Sequence, residues 1–189
     1  MRRLLVGIFV GGGSVRMGGA PKGLLRTESG ESIVERLVRI CGERLSGVPI
    51  VLVGEARAYS HLMLPALSDE RTGIGPIGGL LALLSAAREL GAESVIALAC
   101  DLPGLTADLV KRLAAHPESA AVAARPEGVW QPLCARYRAD AALGVTEKLI
   151  LNHERALYRV LEELGAEELA LGPDDVPALR DWDEPSDVD

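Results

Sequence analysis

Aromatic residues are scarce in this chain of 189 residues, which holds one Phe, three Tyr and two Trp. Apolar residues still make up 48% of it, so its core has to be built from Leu, Val, Ile and Ala. Cysteine is sparse too. Cys41, Cys100 and Cys134 lie far apart, with neither a C-x-x-C pair nor a zinc-type spacing. Three such thiols in apolar settings read as buried free cysteines of a reducing compartment. The histidines are only His61, His116 and His153, none in an H-x-x-x-H pair, so no zinc site is expected. His61 and His116 have no evident partner, and His153 reads as a cap or a surface residue. Long hydrophobic runs are missing as well. Leu4–Val10 follows Arg2 and Arg3 but is short, runs into glycines, and meets no A-x-A cleavage site before Arg16 and Lys22. It reads as a buried strand and not as a signal peptide, and no other stretch nears a transmembrane length. The expectation is a cytoplasmic protein with no membrane partner.

Positive charge is in deficit. The 20 Lys and Arg are outnumbered by 27 Asp and Glu, for a net charge of −7. This excludes the basic footprint of a general nucleic-acid binder. The imbalance is uneven. Residues 1–100 carry 11 basic against 9 acidic side chains, and residues 101–189 carry 9 against 18. The mildly positive first half suits an anionic small molecule, whereas the acidic end reads as a solvated surface. A charged fraction of 25% is ordinary for a folded chain. The length fits one domain, and no repeat, low-complexity tract or linker divides it.

Apolar runs at Leu4–Val10, Pro49–Val53, Val95–Ala99 and Ala120–Ala124 lack polar alternation and read as strands buried on both faces. Helix-period segments separate them. Ile33, Leu37, Ile40, Cys41 and Leu45 mark one helix, and Pro76–Leu90 a second with Pro near its start. Thr106–Ala115 is a third, with a good N-cap. Leu157, Val160, Leu161 and Leu164 mark another, stopped by Gly165. This alternation predicts a mainly parallel sheet covered by helices. Such sheets bind ligands beyond the carboxyl ends of their strands, which directs attention to the segments after Val10, Val53, Ala99 and Ala124.

The first strand runs into Gly11-Gly12-Gly13-Ser14-Val15-Arg16-Met17-Gly18-Gly19-Ala20-Pro21-Lys22. A glycine-rich loop lets backbone N–H groups form an anion-binding concavity, and Arg16 and Lys22 add the charge that phosphates require. Lys22 is followed by Gly23 and not by Ser or Thr, so this is no Walker loop, and the glycine spacing is not G-x-G-x-x-G. The strand Val95–Ala99 ends in Cys100-Asp101-Leu102-Pro103. A carboxylate placed there, beside a phosphate loop, is suited to hold Mg²⁺. Taken alone it would read as a turn or cap residue.

These segments, together with Gly75-Pro76-Ile77-Gly78-Gly79 and Gln131-Pro132-Leu133, resemble the molybdenum cofactor guanylyltransferases. The resemblance spans most of the chain. It implies a three-layer α/β fold, the Rossmann-like nucleotidyltransferase fold, with a mainly parallel central sheet and helices on both faces. It further implies a nucleotide-binding part over residues 1–110 and an acceptor-binding part over 111–189. The implied reaction joins GTP to molybdopterin with Mg²⁺ as cofactor and releases pyrophosphate; cofactor-delivery proteins or molybdoenzymes would be further partners.

Residue by residue, the resemblance assigns the nucleotide to Gly11, Gly12, Gly13, Ser14, Arg16, Lys22, Gly75, Pro76, Gly78 and Asp101, with Arg16, Lys22 and Asp101 catalytic. It lays the base over Asp69–Gly79, where Asp69, or its neighbour Glu70, would accept from the guanine N1–H and amino edge. Arg155 and Arg159, four apart, are expected on one helix face, either meeting the acceptor's phosphate or solvated. Trp130 and Trp182 are able to stack on a pterin, Trp130 being the better packing residue. The chain departs from the family at Asp181-Trp182-Asp183-Glu184-Pro185, where guanylyltransferases show Asn-x-Asn-Thr-Pro. The D-x-D-x-P form looks like the sibling cytidylyltransferases. It makes Asp183 a candidate second metal ligand and Asp181 an acceptor-side contact. The alternatives are therefore CTP as donor, a sugar or alditol phosphate as acceptor, or a nucleotide-binding regulatory protein without turnover.

Overall fold

The computed structural model describes residues 3–11, 21–68, 73–117 and 119–182. Among them a seven-stranded sheet is formed by β1 (Leu4–Phe9), β2 (Ile50–Val53), β3 (Ala66–Leu67), β4 (Ser94–Ala99), β5 (Ala121–Ala124), β6 (Gln131–Arg138) and β7 (Glu167–Glu168). The strand order is β3-β2-β1-β4-β6-β5-β7. β1 pairs in parallel with β2 and β4, β2 with β3, and β5 with β7. β6 runs antiparallel to both β4 and β5. Only residues 125–130 join β5 to β6. That is enough for a hairpin but far too short for a parallel crossover.

The helices are α1 (Ile33–Arg44), α2 (Pro76–Leu90), α3 (Ala107–Ala115), α4 (Ala139–Leu151), α5 (Tyr158–Glu163) and α6 (Asp175–Ala178). β1 shows how they divide. Val6, Ile8 and Val10 point to one face and pack with Ile33, Val34 and Leu37 of α1 and Leu109 and Leu113 of α3. Leu5 and Phe9 point to the other and pack with Ile77, Leu80 and Leu84 of α2, Leu143 of α4 and Val160 of α5. Alternate side chains of a strand face opposite ways, so a strand apolar at every position needs both helical layers. The expected three-layer, mainly parallel α/β fold is present, and each expected strand is found within one residue of its predicted ends.

Local chemistry sets the helix ends. Ser32 Oγ accepts from the Glu35 amide and Glu35 Oε2 from the Ser32 amide, a reciprocal cap at the start of α1. Thr106 caps α3 as expected, accepting from the Leu109 amide. Helix α4 is absent from the sequence reading. Its buried stripe is Ala139, Ala142, Leu143, Thr146 and Leu149, and the small and polar members dilute the apolar period. Cys41, Cys100 and Cys134 are buried and free. Among the described residues no helix is long and apolar enough to cross a membrane.

Candidate active site

The carboxyl ends of β1 and β4 lie side by side, Phe9 opposite Ala99, and the chain leaving each delivers one charged side chain to the same place. Lys22 opens a short 3-10 turn, Lys22–Leu24, behind Pro21. Asp101 follows β4 by two residues. Lys22 Nζ donates to Asp101 Oδ2 at 3.3 Å across 79 residues of sequence. Their side chains remain 19% and 24% exposed, so the pair is only partly buried.

The residue after Lys22 shows why the motif is Lys-Gly. A Cβ on Gly23 would lie 2.4 Å from Val34 Cγ2 and 2.8 Å from Tyr59 Oη. Both neighbours are buried, so the turn carrying Lys22 sits against α1 and Tyr59 with no space for a side chain. Cys100, immediately before Asp101, is also buried. Burial, with a smaller contribution from the Asp101 charge, pushes its thiol up to about 12. It stays protonated near neutral pH and offers no thiolate nucleophile.

Gly75 caps α2 with φ 78° and ψ −162°, a backbone conformation reserved for glycine. Pro76 then occupies the first helical position, and Gly78 is buried within the first turn. Gly11 closes the described part of β1's exit. Gly12, Gly13, Ser14, Arg16, Asp69 and Asp183 lie outside the described residues.

The C-terminal segment reaches the same site through its backbone. The Trp182 amide donates to the Asp101 carbonyl at 3.0 Å, which places exposed Asp181 next to this link. The segment is fastened further back. Arg112 of α3 donates to Asp175 Oδ2 at 2.6 Å, and the Gly172 amide donates to the same oxygen at 2.7 Å. A Cβ on Gly104 would meet the Ala178 backbone at 2.9 Å, so the chain passes close beneath the Asp101 loop. Trp182 is half-buried against the core. Trp130 lies under the Arg125 guanidinium, 4.6 Å from ring centre.

Arg155 and Arg159 do not share a helix face, because α5 starts only at Tyr158. Glu154 Oε1 accepts from the amides of Arg155 and Ala156, which turns the chain and delays the helix. Arg155 Nη1 donates instead to the Gly73 carbonyl at 3.0 Å. Exposed Arg159 pairs with Glu162 and, more distantly, Glu154. The histidines also have neighbours. His61 faces Glu35 at 3.6 Å and His116 faces Glu167 at 3.8 Å. His153 sits exposed in the turn after α4 at φ 59°.

For a metal, Asp101 supplies a partly exposed carboxylate with one oxygen on Lys22. Among the described residues no group of three or more His, Cys, Asp or Glu gathers to form a complete cage. A single strand-end carboxylate fits Mg²⁺, which characteristically takes one or two carboxylates and completes its shell with water and substrate phosphates.

Comparison with known proteins gives the family and the fold. The model of the MobA-like NTP transferase domain matches residues 6–169. A probable molybdenum cofactor guanylyltransferase of Opitutus terrae is 31% identical over 194 residues, spanning 98% of this chain and 93% of its own. A molybdenum cofactor guanylyltransferase of Mesorhizobium japonicum is 38% identical over 130 residues, 65% of this chain and 62% of that protein. The crystal structure of molybdopterin-guanine dinucleotide biosynthesis protein A from Archaeoglobus fulgidus shares the fold, with TM-score 0.76 at 21% identity over 97% of this chain and 94% of that one. The chain belongs to the family of MobA-like NTP transferase domains.

Proposed function

We propose that the protein is a Mg²⁺-dependent guanylyltransferase that moves GMP from GTP to molybdopterin and releases pyrophosphate. The observation carrying this reading is the pair Lys22–Asp101, brought to 3.3 Å at the carboxyl ends of β1 and β4 in a chain of this family. A terminal phosphate oxygen of molybdopterin attacks the α-phosphorus of GTP. The new P–O bond forms as the bond to the bridging oxygen breaks, and pyrophosphate leaves with that electron pair. Both reactants are anions, so the site has to align them in line and offset their repulsion.

Lys22, with Arg16, holds the triphosphate and the developing charge of pyrophosphate. Asp101 is the residue that would hold Mg²⁺, which when bound supplies Lewis-acid neutralisation of phosphate charge. The Trp182–Asp101 link supports Asp183, one residue further on, as a second ligand. The loop Gly11–Ser14 cradles phosphate, and Asp69 with the Gly75-Pro76-Ile77-Gly78 turn reads guanine. Residues 1–110 thus serve the nucleotide and residues 111–189 the acceptor, with Asp181 and Arg159 on the acceptor side. Cofactor-delivery proteins or molybdoenzymes would receive the product. Three buried free thiols suit a reducing, cytoplasmic setting.

The second reading, CTP as donor, is favoured by one feature, the Asp181-x-Asp183-x-Pro185 ending. Calorimetric titration with GTP, CTP and ATP in Mg²⁺ separates the two. GTP should bind at least about tenfold more tightly than CTP, a difference of roughly 1.4 kcal/mol. Preference for CTP would overturn the guanine assignment.

A further inference from the structure

The strap between α4 and α5 crosses back to the first half of the chain. Arg155 Nη1 donates at 3.0 Å to the carbonyl of Gly73, 82 residues earlier. Gly73 begins the turn that leads through Ile74 and Gly75 into α2, the segment assigned to the base of the donor nucleotide. Both glycines of this turn, Gly73 and Gly75, lie at φ 91° and 78°, and among the described residues no atom comes within 4 Å of a Cβ built on either. Gly75 caps α2 without a side-chain hydrogen bond. A turn so built has several backbone conformations of similar energy, and ligand recognition by its N–H and C=O groups requires one of them.

The arginine, by contrast, leaves from a fixed backbone. The Glu154 amide donates to the Leu149 carbonyl at 3.0 Å. Glu154 Oε1 accepts from the amides of Arg155 and Ala156 at 2.8 and 2.9 Å, and Leu157 is buried in the core. Helices α2 and α4 pack on each other, and the Arg155–Gly73 bond joins the segment after α4 to the one before α2. The guanidinium therefore reaches Gly73 from a rigid base, and a cation donating to a carbonyl makes a charge-assisted bond.

We infer that Arg155 is a positioning residue for the donor nucleotide. It fixes the Gly73 carbonyl and thereby the orientation of the Gly73–Gly75 turn and the first turn of α2 against the base. This inference rests on the guanylyl-transfer reading and goes beyond it, because it moves Arg155 from the acceptor side to base selection. The two roles are separable by which substrate loses affinity when the guanidinium is removed.

The test is equilibrium titration of GTP and, separately, ATP with Mg²⁺ and no acceptor, into the unchanged full chain, R155A and R155K. Arg155 is exposed, so both variants should melt as the unchanged protein does. R155A is expected to weaken GTP binding by roughly fivefold to tenfold, the loss of one charge-assisted bond. ATP binding should fall less than GTP binding, and R155K, which keeps a cationic donor, should restore most of the GTP affinity. GTP affinity in R155A within about twofold of the unchanged protein would overturn the inference, whatever happens to the acceptor's KM. An equal loss for GTP and ATP would overturn it too, since the base turn would not be the target. If the unchanged protein binds no GTP, the guanylyl reading itself fails.

Discussion

Asp101 has two neighbours of different kinds. Lys22 meets its side chain and Trp182 meets its carbonyl. Replacing Asp101 with Ala should cut transfer by at least roughly 100-fold, the scale of losing a metal ligand in a charge-neutralising site, while metal-free GTP affinity stays largely intact. A loss of less than about tenfold in kcat/KM would remove Asp101 from the metal role. The neighbouring Gly23 makes a different prediction. Gly23→Ala forces a methyl into the space of Val34 Cγ2 and Tyr59 Oη and should destabilise the protein by about 1–3 kcal/mol, seen as a lower urea midpoint. An unchanged midpoint would show that the turn carrying Lys22 gives way easily.

Lys22 was legible in the sequence because it follows a glycine-rich loop at a strand end, and Asp101 because a second strand end beside that loop carries a carboxylate, although Asp101 taken alone would read as a turn or cap residue. The Trp182 amide was not legible, since a backbone hydrogen bond leaves no trace in residue type. Arg155 was misplaced for a related reason. The i, i+4 spacing to Arg159 suits a helix, but Glu154 satisfies the amides that would have begun one.

Among the elements, the C-terminal segment is fastened to α3 by the Arg112–Asp175 contact. Burial alone would raise the Asp175 carboxyl, but the Gly172 amide and the Arg112 guanidinium outweigh it and hold the carboxyl below its usual range. A carboxyl depressed in the folded state contributes stability that is complete above its unfolded value of about 3.9 and is lost as pH falls through the folded value. Asp175→Asn should therefore be less stable than the unchanged protein at pH 7 by about 1–3 kcal/mol. Chemical denaturation over a pH series should show this gap narrowing below about pH 4. A gap that stays constant down to pH 3 would contradict the ion-pair account. The short elements show the limit of pattern reading. The four-residue α6 and the two-residue β3 and β7 are too short to carry any period. The strands β1, β2, β4 and β5 and the helix α2 carry strong apolar patterns and were found almost to the residue, whereas the eight-residue β6, whose first three residues are Gln131, Pro132 and Leu133, was not among the expected strands. The direction of β6 follows from a loop length, once β5 and β6 are known to be neighbours.

In the whole molecule, two helical layers enclose a sheet apolar on both faces, which leaves the carboxyl edge as the place where charged groups converge. Lys22 after β1, Asp101 after β4 and Trp182 of the C-terminal segment meet there. The charge division of the sequence fits this plan, with a mildly positive first half around an anionic donor and an acidic remainder on the surface. Release of pyrophosphate by the purified protein with Mg²⁺ is the decisive measurement of whether this edge transfers GMP to molybdopterin. Release should require both GTP and molybdopterin and be far weaker with CTP or ATP. Release that follows CTP, or nucleotide binding with no pyrophosphate formed when both substrates are present, would show that the edge does not carry out this transfer.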